Sequence, residues 1–234
     1  MKQGGERMKG LIMAARFSLG CNETVLFPER EQVLLRFLTN PQDVANIKRA
    51  EDTLRKFKIL FPYLSLIGRI SGLEPFSQEV VEAYFIGNKL LRNIPVVEAR
   101  KTVEQIYSQE ISLVPAFVPH HNWHLLVVLP QTQKTRIPLF LFDLCMVRLG
   151  EVQAMQQDGV TVRAWKLRYA GRKLNISWAN EDIPKDAILI DKVGIGDRVA
   201  IHWRNVCEKL SSEQAQRLEK HTRQALAYAK IRGE

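Results

Sequence analysis

Cys145 stands five residues before Gly150, and His202 follows far downstream in an apolar stretch. Between Pro119 and His124, the run PHHNWH packs three more imidazoles, His120, His121 and His124, into five residues. A thiolate is a soft ligand suited to iron and must be deprotonated to bind, and neutral imidazole is a common metal ligand beside it. The residues therefore read as candidate transition-metal ligands. Cys145 and His202 come first, with His120, His121 and His124 as a second set and Cys21, in SLGCNET, as an outlying thiol. Spacing constrains the second set. On a strand, His120 and His124 would share a face roughly 13 Å apart, whereas on a helix they would approach to about 6 Å. The following LLVVL run reads as strand, so the histidines are placed in a loop that must fold back before His124 can meet His120 or His121. Neither HExxH nor a CxxC pair accompanies them, and hydrogen bonding to nearby backbone is the competing role for each ring.

Other chemistry has less to stand on. No G-x-S-x-G, Walker loop or G-x-G-x-x-G is present, which removes the common nucleophile and phosphate templates and favours a non-enzymatic role. One nucleic-acid alternative rests on Arg163, Trp165, Lys166 and Arg168, where basic residues interleave with an aromatic that would stack on exposed bases. Strand alternation, however, puts Arg163 and Trp165 on one face and Lys166 and Arg168 on the other. The net charge of +9 is spread along the chain rather than gathered in a tail, so it names no particular partner.

These residues need elements to position them. With 46% hydrophobic and 25% charged residues, the 234-residue chain has the composition of a soluble globular protein. No apolar run reaches the roughly 20 residues that span a bilayer, and the N-terminus lacks a signal-peptide core. Three widely separated cysteines argue against a disulfide framework and for a cytoplasmic location.

Residues 1–115 read as a helical domain. Pro28 opens one helix, Asn40–Pro41 signals another, and Val44, Ile47, Leu54, Phe57 and Leu60 mark one face of a long helix that Pro62 breaks. Further helices are expected after Ser77 and Pro95. Residues 116–144 read as linking strands and loop, with LLVVL and PLFLF as strands around the polar QTQKTRI. Residues 145–234 read as a small β-barrel with a closing helix. The Asp158–Gly159 turn, the alternation of Val199, Ile201 and Trp203, and the capping-box spacing of Ser211 and Gln214 support this. The expected class is α+β: helices, then barrel, then closing helix. If Val199 and Ile201 face the barrel core, His202 turns outward.

From Cys145 to about Leu226 the chain resembles the HypC/HupF family of hydrogenase-maturation chaperones. Cys145, Gly150 and Val152 reproduce the family's opening spacing, and Gly196, Asp197, Val199, His202, Glu208, Lys209 and Leu210 reproduce its later strand and bend. Cys145 is internal here, and Leu149 replaces the usual proline. The resemblance implies a small barrel whose cysteine, at Cys145, helps hold iron bearing cyanide and carbon monoxide, with His202 at the family's histidine. It also implies a protein client, either a hydrogenase large subunit or a maturation factor, with the helical half as a docking surface. The whole chain further resembles an uncharacterised bacterial family joining such a barrel to a helical domain with a PHHxxH stretch.

Overall fold

Local signals place several elements where the sequence puts them. The computed structural model describes residues 2–132, 137–171 and 173–229. Helix α1 (Lys2–Ser18) leads into a short α2 (Asn22–Val25), and α3 (Pro28–Thr39) starts with proline at its first position. That position tolerates proline because its N–H would have no helical partner. The Asn40–Pro41 signal is misplaced. Asn40 instead ends α3, and α4 (Val44–Leu54) is capped by the Asp43 carboxylate, which accepts the N–H groups of Ala45 and Asn46. The expected long helix is two, because the chain leaves α4 after Leu54 and restarts as α5 (Leu60–Ser71). Pro62 sits in the first turn of α5, where it breaks no hydrogen bond. Helices α6 (Gln78–Phe85) and α7 (Val96–Tyr107) follow Ser77 and Pro95, as expected.

The segment read as linking strands is helical. After α8 (His121–Trp123) comes a π-helical turn over His124–Val128, then α9 (Leu129–Thr132). PLFLF contributes to α10 (Leu139–Cys145), and residues 133–136 of the polar stretch between lie outside the described residues. The reason is burial on every side: all five residues of the π-turn are buried. A short run that is apolar throughout carries no period to separate strand from helix.

The sheet follows the expected language. Strands β1 (Arg148–Gln156), β2 (Gly159–Ala170), β3 (Lys173–Pro184), β4 (Arg198–His202) and β5 (Asn205–Leu210) pair antiparallel in the order β3-β2-β1-β4-β5. After β3 the chain swings across to β5, where Ile188 bridges Val206 and the Leu189 N–H donates to the Val206 carbonyl at 2.9 Å. This contact curls the sheet around Val152, Val160, Val162, Val199, Ile201 and Val206. Gly150 sits where β1, β2 and β4 meet, and a Cβ there would lie 2.6 Å from Val162 Cγ1 and 2.7 Å from Ile201 Cδ1. No larger residue fits without displacing that interior.

A second, larger core joins the helices to the outside of the sheet. Phe17, Tyr84 and Val103 belong to it, together with Leu149, Trp165, Ala200 and Cys207. Helix α11 (Ser212–Tyr228) carries the Ser211–Gln214 capping box and buries Ala215, Leu218, Thr222 and Ala225. Among the described residues no helix is long and apolar enough to cross a membrane.

Candidate functional site

The helix that begins at His121 decides where each imidazole goes. His120 is its N-cap, and its Nδ1 accepts the Asn122 N–H at 3.1 Å. Successive helical positions point in different directions, so the three rings diverge. His120 stacks on His221 of α11 with centroids 5.1 Å apart. His124 is clamped between two phenols, Tyr63 at Nδ1 and Tyr107 at Nε2, each at 2.8 Å. Only His121 reaches Cys145. A single ion shared by His120, His121 and His124 is therefore excluded by the direction of the rings. Asn122 holds the segment in place: its amide donates to the Val147 carbonyl (2.9 Å) and Thr222 Oγ1 (2.7 Å), and its oxygen accepts the Val147 N–H (2.9 Å).

Cys145, His202 and His121 come together. Their ligand atoms all lie within 4.8 Å of one another, and Cys145 Sγ is 3.9 Å from His121 Nε2. Cys145 ends α10, which Asp143 ties to β2 by accepting the Leu167 N–H at 2.8 Å. His202 follows the expected alternation, since Val199 and Ile201 fill the barrel while Ala200 belongs to the core beneath the helices. Its outward face is not solvent, however: the ring is 2% exposed because α1 covers it. The turn after it, Trp203–Arg204, has φ of 48° and 65°, and the Trp203 N–H donates to the Leu144 carbonyl at 2.9 Å. That bond joins the ends of β4 and α10, and with them His202 and Cys145.

Protonation follows from the partners. His202 Nδ1 lies 2.6 Å from the Phe17 carbonyl oxygen, which can only accept, so the proton is on Nδ1 and Nε2 keeps its lone pair. That Nε2 is buried with no hydrogen-bond partner among the described residues. His121 Nε2 donates to the Cys145 carbonyl at 2.7 Å, while Nδ1 faces the Tyr84 hydroxyl at 3.3 Å. Burial pushes the Cys145 thiol up to about 12, with Cys21 acting in the same sense. Burial also lowers His121 to about 4 and holds His202 well below the ordinary imidazole range, with His121 adding to the latter shift. A thiolate–imidazolium pair, which a nucleophilic cysteine needs, is thus disfavoured. A cation is what would hold the thiolate form here, with the free Nε2 of His202 ready to share it and His121 able to do so once the proton on its Nε2 is moved.

The cluster opens on a cavity of about 440 Å³ lined by Phe17, Leu26, Phe27, Phe57, Tyr84, Phe85, Tyr107 and Leu125. Cys21 lines it too, outside the three-ligand cluster, and all three cysteines are free. Cys207 is buried in the core beneath the helices.

The aromatic-basic stretch on β2 does not form a stacking surface. Trp165 is 1% exposed, so it cannot meet a base. Lys166 is paired with Asp143 at 3.3 Å and Glu181 at 2.7 Å. Arg163 lies over the Trp178 ring, and Arg168 is exposed.

Tyr84, Tyr107, Trp203 and the Phe17 carbonyl also belong to this site. Tyr84 and Tyr107 lie on the helices that follow Ser77 and Pro95, where no local pattern marks them as site residues, and nothing in the sequence marks a main-chain carbonyl.

Residues 8–234 match the model of a family of unknown function, DUF6390, and the chain belongs to that family. No curated protein and no solved structure matches it.

Proposed function

We propose that the protein assembles or delivers a metal centre, with Cys145, His121 and His202 as its ligands. Nickel–iron hydrogenase maturation is the setting that the barrel resemblance implies. The observation that carries this reading is the convergence of one thiol and two imidazoles within 4.8 Å on the wall of a cavity.

The residues fit a transition metal. An anchored Nδ1–H with a free Nε2 is how a metal-binding histidine is usually held, the outer hydrogen bond fixing tautomer and ring angle. For His121 to bind through Nε2, its proton moves to Nδ1, where the Tyr84 oxygen can accept it. The metal supplies positive charge that stabilises the Cys145 thiolate. Iron of the cyanide- and carbonyl-bearing type would be cargo, passed to a hydrogenase large subunit or maturation factor. Val25, Leu26 and Phe27 are exposed, and Leu26 and Phe27 line the cavity, which gives such a client an apolar contact beside the cargo.

The test is elemental analysis of protein purified without oxygen, with infrared spectroscopy for cyanide and carbonyl stretches. Metal that disappears in Cys145→Ala, together with failure of that variant to mature its client, is the expected result. A variant that matures the client as well as wild type rejects the reading. A metal-dependent enzyme is the second reading, favoured by a three-ligand set beside a cavity; it predicts metal that stays bound through turnover.

A further inference from the structure

The cavity beside the cluster is far larger than a bare ion requires. It measures about 440 Å³, against roughly 30 Å³ for one water molecule in the liquid. Its walls include Phe17, Leu26, Phe57, Leu60 and Leu125, which offer no hydrogen bonds to a hydration shell. Of the two charged lining residues, Glu23 is already engaged, pairing with Arg30 at 2.5 Å and accepting the Lys58 N–H at 2.6 Å, and the Lys58 side chain is exposed to water. The volume lies in the range of small-molecule sites, which are mostly apolar with a few converging polar groups. Here those groups are Cys145, His121 and the unpartnered Nε2 of His202.

Three protein ligands leave a four-coordinate ion one position short. Resting on the metal-site reading, we infer that the missing ligand is an uncharged organic molecule with one nitrogen or sulfur donor, whose apolar body fills the cavity. Its donor completes the ion's coordination. Its body replaces water that the aromatic and aliphatic walls cannot hold. A charged body is disfavoured, because the apolar walls would strip its hydration and the one charged lining side chain besides Glu23, Lys58, is itself exposed to water. The exposed side chains of Leu26, 72% accessible, and Phe27, 42% accessible, give such a molecule an apolar point of entry.

The test uses the full-length protein loaded anaerobically with cobalt(II). It is titrated with imidazole, 4-phenylimidazole and imidazole-4-acetate, and the cobalt ligand-field bands report binding. The phenyl compound should bind at least about tenfold more tightly than imidazole, from the apolar area it buries. The acetate compound should bind no more tightly than imidazole. Leu26→Asp, a change at an exposed side chain of the cavity wall, should reduce the phenyl advantage, read as the ratio of 4-phenylimidazole to imidazole affinity in the same variant. Equal affinity for imidazole and 4-phenylimidazole overturns this inference while leaving the metal site standing. Absence of cobalt–thiolate charge-transfer absorption overturns the metal-site reading, and this inference with it.

Discussion

The main-chain carbonyl of Phe17 accepts a 2.6 Å hydrogen bond from His202 Nδ1 across 185 residues of sequence. The bond sets which nitrogen of His202 is free and fixes the plane of its ring, so α1 and β4 together present one lone pair to the cluster. If that nitrogen is a ligand, losing it should cost more than the 10–100-fold typical of an outer-sphere partner. His202→Ala is expected to lower cobalt affinity by more than about 100-fold, measured by competition with a chelator. An unchanged affinity would take His202 out of the ligand set.

The buried imidazoles make stability depend on pH in one direction. Burial lowers His121 and His221 to about 4 and His124 to about 3, all from 6.5. Between those values and 6.5 the unfolded chain binds more protons than the native one, so stability rises with pH. It is fully present above about 6.5 and is lost as pH falls toward about 4. Each such ring should withdraw about 2 kcal/mol by pH 5. Urea unfolding of the metal-free protein at pH 7.5 and pH 5 checks this, and equal midpoints would contradict it.

Asn122 supplies three buried hydrogen bonds between α8, the start of the barrel and α11. Asn122→Ala leaves the Val147 N–H and carbonyl without their side-chain partner. The expected loss is about 2–4 kcal/mol, since an unsatisfied buried group costs more than a satisfied one contributes. Metal affinity should fall as well, because His121 is the adjacent residue. Chemical denaturation gives the first number and cobalt titration the second. A stable variant with weakened cobalt binding would show that Asn122 positions the site rather than supporting the fold.

What could be read from the sequence was mostly what is local. The Ser211–Gln214 box and the Pro28 start are each written in neighbouring residues, and the turn expected at Asp158–Gly159 forms one residue earlier, with Gln157 and Asp158 as the loop and Gly159 opening β2. LLVVL was misread because burial on all sides erases periodicity, and the π-turn it forms has no sequence signature. The outward turn of His202 followed from alternation, but its cover did not, since Phe17 lies at the other end of the chain. Cys145 and His202 were paired by resemblance. That His121 joins them, and His120 and His124 do not, depends on the helix starting at one particular residue.

The Trp203–Arg204 turn gives a prediction with the opposite sign. His202 and Asn205 pair across it, leaving a two-residue hairpin loop with φ of 48° and 65°. Both central residues are left-handed, the arrangement of a type I′ turn, which favours Asn-Gly. A side chain in that region costs roughly 1–2 kcal/mol relative to an unstrained backbone. Trp203 contributes its main-chain N–H to the Leu144 carbonyl, and its indole packs edge-on against the His202 ring with centroids 6.3 Å apart, its own N–H without a hydrogen-bond partner among the described residues. Among the described residues, Arg204 makes no comparable contact with the cluster. Arg204→Gly should therefore stabilise the protein by about 1 kcal/mol and leave cobalt affinity unchanged. Trp203→Gly relaxes the same kind of strain but removes the indole, so it should weaken cobalt binding. If the two glycine variants have the same effect on cobalt affinity, the strained turn serves the backbone alone and the indole has no part in the site.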